Sequence, residues 1–371
     1  MRLQQLKRFL CCLPLILLFA ACQSPGDKES AFAIMGYYVP GEAAPASLPL
    51  DQLTHIIFSF TKVIDNEMKF ENKEMGDQLR LLVEQKKNHP KLKVMVACGG
   101  WGGSGGFSKM VSSPETRKKF IESVAAFIQQ YDLDGLDMDW EYPGLPGNDN
   151  PHQPEDRENF TLLMQELRAV MDAIDPDLVL SFASAGWEAY YDHIELTEVM
   201  KHVDYMNIMT YDQTGGYAAI TGHHTNLMST TENPRSAHYI ISYCLDQGVA
   251  PEQLVIGAAF YGKTWKGVPP ENNGLSQPTQ GAWKNAIVYS DIEELYENKN
   301  GFVRYWDQKA QAAFLYRAAD SLFITYDDAE SVALKTAYAK EKRLGGIMFW
   351  QLSQDTKSSS LLNAIQEAAL N

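Results

Sequence analysis

The amino-acid sequence predicts an α/β fold: a closed (β/α)8 TIM barrel with a small α+β subdomain inserted between strands seven and eight. Three observations lead there. Eight short apolar runs recur along the chain. Amphipathic stretches of helical length separate most of them. One interval, between the last two runs, is far longer than the others. Near-continuous apolar strands separated by helices imply a parallel sheet buried on both faces, and eight such units favour closure over an open sheet. The 371 residues suffice for a barrel of this kind, and a hydrophobic share of 45 % is enough to bury a sizeable core.

The N-terminus is expected to stand outside the fold. Arg2, Lys7 and Arg8 form a short basic region, and Cys11 to Phe19 an apolar run too short to cross a bilayer as a helix. Ala20-Ala21-Cys22 then resembles the bacterial lipobox, with Phe19 where leucine is usual. This implies a leader over 1–21 that is removed and a lipid on Cys22, which would hold the protein at a membrane, periplasmic or at the cell surface. A plain leader cut near Ala21 is the alternative. Residues 22–30, polar with Pro25 and Gly26, read as a flexible tether, and 31–371 as the barrel.

The first strand is placed at Ala33–Tyr38 and the second at Thr54–Ser59, followed by a helix over Lys73–Asn88. The third strand, Lys93–Cys98, precedes a helix over Pro114–Tyr131, and the fourth, Gly135–Asp139, a helix over Pro154–Ile174. The fifth and sixth are Val179–Ala183 and Tyr205–Met209, then a helix over Arg235–Gln247. The seventh, Leu254–Ala259, opens the long interval. Within it, 266–327 begins with Pro269, Pro270, Asn272, Asn273 and Gly274 and reads as the inserted subdomain. A helix over Ala329–Lys342 and a strand at Gly345–Phe349 close the barrel.

The formal charge is −15, and loss of the three cations in 1–21 would take it to −18. So acidic a chain is not expected to bind nucleic acid or to dock electrostatically on anionic lipid, whereas a neutral polymer is permitted. Cys98 and Cys244 lie in apolar stretches and are expected to be buried free thiols rather than a bridge.

The chemistry is concentrated in Asp134-Gly-Leu-Asp137-Met-Asp139-Trp-Glu141. Spacing of two puts Asp137, Asp139 and Glu141 on one face of a strand, with Leu136, Met138 and Trp140 on the other. Three carboxylates in a largely apolar lumen cannot all stay ionised, so at least one holds a proton at neutral pH and can act as a general acid. A cation site and a solvated acidic loop are the competing readings. Gly135 falls too early for a calcium loop, no histidine lies in the stretch, and the interleaved apolar residues disfavour a solvated loop.

The same stretch is similar to the D-G-x-D-x-D-x-E signature of glycoside hydrolase family 18, the chitinase family, at Asp134, Gly135, Asp137, Asp139 and Glu141. Further motifs follow in order. Gly36-Tyr37-Tyr38 resembles the first strand, Ala97-Cys98-Gly99-Gly100-Trp101 the family's S-x-G-G-W, and Met209-Thr-Tyr211-Asp212 its M-x-Y-D. Phe260-Tyr261-Gly262-Lys263 resembles F-Y-G-R, and Gly345-Gly346-Ile-Met348-Phe-Trp350 the eighth strand. The insertion, with Phe323-Ile-Thr-Tyr326-Asp327, resembles the one carried by chitinases of this family.

This resemblance implies substrate-assisted, retaining hydrolysis of chitin or chito-oligosaccharides, with no cofactor and no metal. It implies Glu141 as acid and then base, Asp139 as partner of the acetamide N–H, Asp137 sharing a proton with Asp139, and Tyr211 holding the acetamide carbonyl. Trp350 would form the floor under the cleaved sugar and Trp101 would stack on the product side, with Tyr37, Gly100, Met209, Asp212 and Tyr261 lining the same pocket. A monomer is expected. Trp187 is left between subsite and core, and His223-His224 is expected to be loop surface rather than a metal site.

Two departures stand out. Ala97 replaces a serine whose hydroxyl bonds the Asp137 position in the family, so Asp137 is expected to lack one partner. Lys263 replaces an arginine, which removes a bidentate contact. The rival functions are an endo-β-N-acetylglucosaminidase acting on N-linked glycans, an inactive glycan-binding lipoprotein, and an unrelated metal-dependent barrel enzyme.

Overall fold

A computed structural model describes residues 32–41 and 43–371; the expected leader, the tether and Cys22 lie outside the described residues. The chain forms fourteen strands among these residues. They are β1 (Ala33–Tyr38), β2 (His55–Ile64), β3 (Glu67–Lys69), β4 (Lys93–Gly99), β5 (Gly135–Asp139), β6 (Val179–Ala185), β7 (Tyr205–Met209), β8 (Leu254–Ala259), β9 (Tyr261–Trp265), β10 (Ile287–Val288), β11 (Val303–Asp307), β12 (Ala312–Arg317), β13 (Leu322–Tyr326) and β14 (Gly346–Trp350). Eight of them run parallel in the order β1-β14-β8-β7-β6-β5-β4-β2, and β1 pairs back onto β2, which closes the barrel.

The strands are apolar along both faces because both are buried, in different places. Ile34, Ile56, Phe58, Val94, Val96, Leu136 and Met138 join the large cluster beneath the helices. Their alternates Met35, Tyr37, Ile57, Met95 and Ala97 turn into the lumen with Val255, Ala259 and Met348. This is the period-two alternation of a strand with each face claimed by a separate core.

The helix Pro114–Tyr131 delivers the chain to β5. Its start is fixed by proline in the first turn and by Ser113, whose side chain accepts the Thr116 N–H. Its end is fixed by Asp132, which takes a left-handed φ of 54°. Asp134 then locks the entry to the strand: its carboxylate accepts the Val94 N–H at 2.7 Å and pairs with Lys86 at 3.0 Å. Asp134 is thereby an anchor at the base of β5, away from the lumen.

Most boundaries shift by a few residues, and two differences from the sequence reading change the architecture. β2 runs on to Ile64 because its end folds back on β3 as a hairpin, through Asp65 and Asn66, both with positive φ. The second sheet, ordered β10-β9-β13-β12-β11 and antiparallel throughout, begins at Tyr261 rather than after 266, since β9 pairs with β13. It carries its own small core of Trp265, Val268, Phe314, Tyr316 and Phe323. Helix Ala329–Glu341 then returns the chain to β14. Among the described residues, no helix is long and apolar enough to cross a membrane. Cys98 and Cys244 are buried free thiols, as expected.

Candidate active site

β5 places Asp137 and Asp139 in the lumen, and Glu141 follows two residues past its last paired position; all three are buried. Asp137 lies deepest. Tyr37 donates to its Oδ2 at 2.9 Å, and Ser181 and Asn207 donate to its Oδ1 at 2.6 and 3.0 Å. These donors come from β1, β6 and β7. Ala97 sits beside Asp137 in register and offers it no hydroxyl, and three hydroxyl or amide groups from other strands bond the carboxylate.

Asp139 is otherwise. Its Oδ1 has no hydrogen-bond partner among the described residues. Burial raises its proton affinity well above the usual carboxylate range, and Glu141 and Asp137 raise it further. Burial likewise raises Asp137, against the pull of its three donors. Glu141 is pushed up to about 7, by burial first and with the charge of Asp212 adding to it. Three acids within five residues thus hold protons unequally, as like charges in a low-dielectric site must.

The backbone around Glu141 is tied down. Its N–H donates to Ser104 at 2.9 Å, and its carbonyl accepts from Asn150 at 3.2 Å. Gly100 donates its N–H to the Asp139 carbonyl at 2.7 Å. Gly99 has φ +118°, and a Cβ there would collide with that same carbonyl, so the two-glycine step lets β4 approach β5 closely.

The aromatic frame is contributed by other strand ends. Tyr37, Tyr211 and Tyr261 share the lumen cluster, with Met209, Phe60 and Trp350 packed against it. Trp350 lies 5.7 Å from Tyr37 and stacks on Phe60 at 5.4 Å between ring centres. Tyr211 packs edge-on against Tyr261 at 6.1 Å, and its hydroxyl lies 4.0 Å from the Met348 sulfur. Trp101 is 54 % exposed, a flat apolar face set at the rim against Tyr142. Trp187 is half-buried with its edge on the other side of Tyr142, at 5.1 Å.

Asp212 has φ +56° and gathers a set of donors on one oxygen. Tyr261 donates to its Oδ1 at 2.8 Å, Lys263 Nζ lies at 3.1 Å, and His224 Nδ1 stands near it at 3.5 Å. Burial pushes Asp212 up, but His224 and Lys263 outweigh it and hold the carboxylate at about 2. Lys263 is thus bound to Asp212 within the site.

His223 and His224 are both buried, which corrects the expectation that they are loop surface. The segment after β7 is clamped between barrel and insertion: His224 turns to Asp212, and His223 Nε2 pairs with Asp307 Oδ2 at 3.1 Å. The described residues hold no cluster of histidine, cysteine and acidic side chains arranged for a metal.

Sequence reasoning missed Ser181, Asn207, Tyr142, Phe60 and Ser104. For two of them a signal existed. Asn207 lies two residues before Met209 on the same strand, and Ser181 lies two before Ala183, so each is a polar residue at an alternate position of an otherwise apolar strand. Ser104 reaches the site from the turn after β4, and Phe60 from β2 where the strand's register with β4 shifts.

Comparison with known proteins agrees with this geometry. Residues 33–355 match the model for glycosyl hydrolases family 18. The chain is 37 % identical over 314 residues to chitinase A1 of Niallia circulans, covering 79 % of this chain and 44 % of that protein. It is 28 % identical to chitinase B of Serratia marcescens, covering 85 % of this chain and 75 % of that one. This chain therefore spans less than half of the first relative. Among solved structures, a family 18 N-acetylglucosaminidase from Paenibacillus barengoltzii superposes with a TM-score of 0.84 at 34 % identity, covering 91 % of this chain and 99 % of the other.

Proposed function

Since this chain belongs to glycosyl hydrolase family 18, we propose that it hydrolyses β-1,4-linked N-acetylglucosamine chains, chitin and chito-oligosaccharides, with retention and with the substrate's own acetamide as nucleophile. The observation that carries this reading is the buried Glu141, whose proton affinity sits near neutrality beside an even more strongly perturbed Asp139.

In the first step the Glu141 carboxyl gives its proton to the glycosidic oxygen as that bond breaks. The acetamide carbonyl oxygen attacks the anomeric carbon from the opposite face, and a cyclic oxazolinium ion forms. Asp139, with one oxygen unpartnered, accepts the acetamide N–H and balances the positive charge that develops there. Tyr211, whose hydroxyl lies 4.0 Å from the Met348 sulfur, donates to the acetamide oxygen and holds it in line. In the second step Glu141 takes a proton from water, the water oxygen adds to the anomeric carbon, and the ring opens with the original configuration. This is general acid–base catalysis combined with proximity and electrostatic stabilisation.

Asp137 supports Asp139 from below. Its three donors hold it in place, so a proton can be shared with Asp139 without the lower carboxylate moving. Trp350 and Trp101 offer flat faces for the C–H sides of the sugars, with Tyr37, Gly100, Met209, Asp212 and Tyr261 around the cleaved unit. Export as a lipoprotein anchored through Cys22 is part of the same proposal, since an insoluble or bulky polymer must be met outside the cytoplasm.

The test is product analysis on a defined chito-oligosaccharide series, alongside a high-mannose glycoprotein. Cleavage of the oligosaccharides with β-anomers as first products is expected, and a Glu141→Gln variant should lose about 10²–10⁴-fold in kcat/KM. Unchanged turnover in that variant, or release of glycan from the glycoprotein alone, would overturn the assignment.

A further inference from the structure

A second cavity lies outside the catalytic lumen, between the insertion and the loop that follows β7, with a volume of about 610 Å³. That size falls within the roughly 300–1,000 Å³ of pockets that hold small molecules. Its lining combines two chemistries. Tyr305, half-buried, is stacked on the buried Phe314, with 5.4 Å between ring centres and 22° between planes, while Trp306 alternates to the other face of β11, against the barrel cluster. Opposite these flat faces are amides, among them Asn273 and Gln277, and the Asp307 carboxylate.

One buried group there is unused. His223 is 1 % exposed and lines the cavity; its Nε2 is committed to Asp307, and its Nδ1 has no partner among the described residues. A buried ring nitrogen without a partner is a hydrogen-bonding site waiting for a ligand or a water. Formal charge on the lining is small, Glu232 and Asp307 against Lys309. An anionic ligand is disfavoured by a chain of net charge −15, and a wholly apolar one by the amides. A neutral, polyhydroxylated ligand with apolar C–H faces suits both sides: rings stack on the aromatics, and hydroxyl or acetamide groups meet the amides, Asp307 and His223.

The wall between this cavity and the catalytic carboxylates is the dipeptide His223-His224. His224 faces Asp212 across 3.5 Å, while His223 faces Asp307. The two sites are therefore back to back and separately lined. We propose that this groove is an accessory sugar-binding site, which holds a second stretch of chito-oligosaccharide while the lumen acts on the first. The choice of sugar rests on the function proposed above.

The full-length Glu141→Gln chain, titrated with the N-acetylglucosamine tetramer by calorimetry, tests this. Two binding events are expected. Adding Tyr305→Ala should weaken the second at least tenfold, and Tyr305→Phe should retain most of it. With Glu141 intact, both Tyr305 variants should hydrolyse a short fluorogenic chitobioside within twofold of the parent, which also shows that they fold. A single event untouched by Tyr305→Ala would overturn the proposal. So would a changed KM for the chitobioside without a second event, since the groove would then belong to the catalytic cleft. Parent chain that hydrolyses no chito-oligosaccharide, yet shows the Tyr305-dependent event, would overturn the catalytic reading and leave the groove standing.

Discussion

Asp212 bears on the protonation of Glu141 across the site. Glu141 is held at about 7 by burial and by the negative charge on Asp212, and Asp212 stays ionised through His224 and Lys263. In the proposed mechanism the acid form of Glu141 performs the first step, so kcat/KM should fall as pH rises through about 7. Asp212→Asn removes the nearby negative charge, which makes ionisation of Glu141 easier. The alkaline limb of the pH profile should therefore move to lower pH. A limb that stays in place, read on a soluble oligosaccharide from pH 4 to 9, would mean that burial alone tunes Glu141. The carboxylate series was legible in the sequence because strand alternation turns a spacing of two into a common face. The fate of each proton was not, because it depends on Tyr37, Ser181 and Asn207, which lie far apart along the chain.

Among the elements, the helix Ala329–Glu341 shows how the insertion is joined to the barrel. Lys335 is fully buried and bonds Asp327 and Thr225, each at 2.6 Å. Asp327, at the end of the insertion, also accepts from the Ala259 N–H of β8, from Ser331 and from Thr225. One ion pair thus gathers the loop after β7, the end of β8, the insertion and the returning helix. Lys335→Met would leave a buried carboxylate without its cation, and should cost about 3–5 kcal/mol in urea unfolding. A loss below about 1 kcal/mol would mean that the three remaining donors suffice.

Elements of strong periodicity were readable in advance: the helix Pro114–Tyr131 begins and ends where its proline and its apolar spacing place it. The β2–β3 hairpin was not, because Asp65-Asn66 is a turn that only the pairing of Lys62–Ile64 with Glu67–Lys69 makes visible. The insertion's first strand was hidden for a similar reason. Tyr261–Trp265 follows β8 after a single residue and finds its partner some sixty positions later.

For the molecule as a whole, the eight-strand closure was legible from the count of apolar runs, while the clamping of the loop after β7 was not. That loop reads as polar and exposed, and becomes interior only because the insertion folds over it and buries His223 and His224. The expected lipid anchor belongs to this scale too. Cys22→Ser should shift the protein from the membrane fraction to the soluble fraction of fractionated cells, with activity on soluble oligosaccharides kept. Equal distribution of both forms would point to a plain cleaved leader.

The carboxylate cradle draws on distant parts of the chain: Tyr37 near one end, Asn207 in the middle and Trp350 near the other. β14, which carries Trp350, is inserted between β1 and β8 and completes the ring. A growing polypeptide accordingly cannot close the ring until position 350 has emerged from the ribosome and docked.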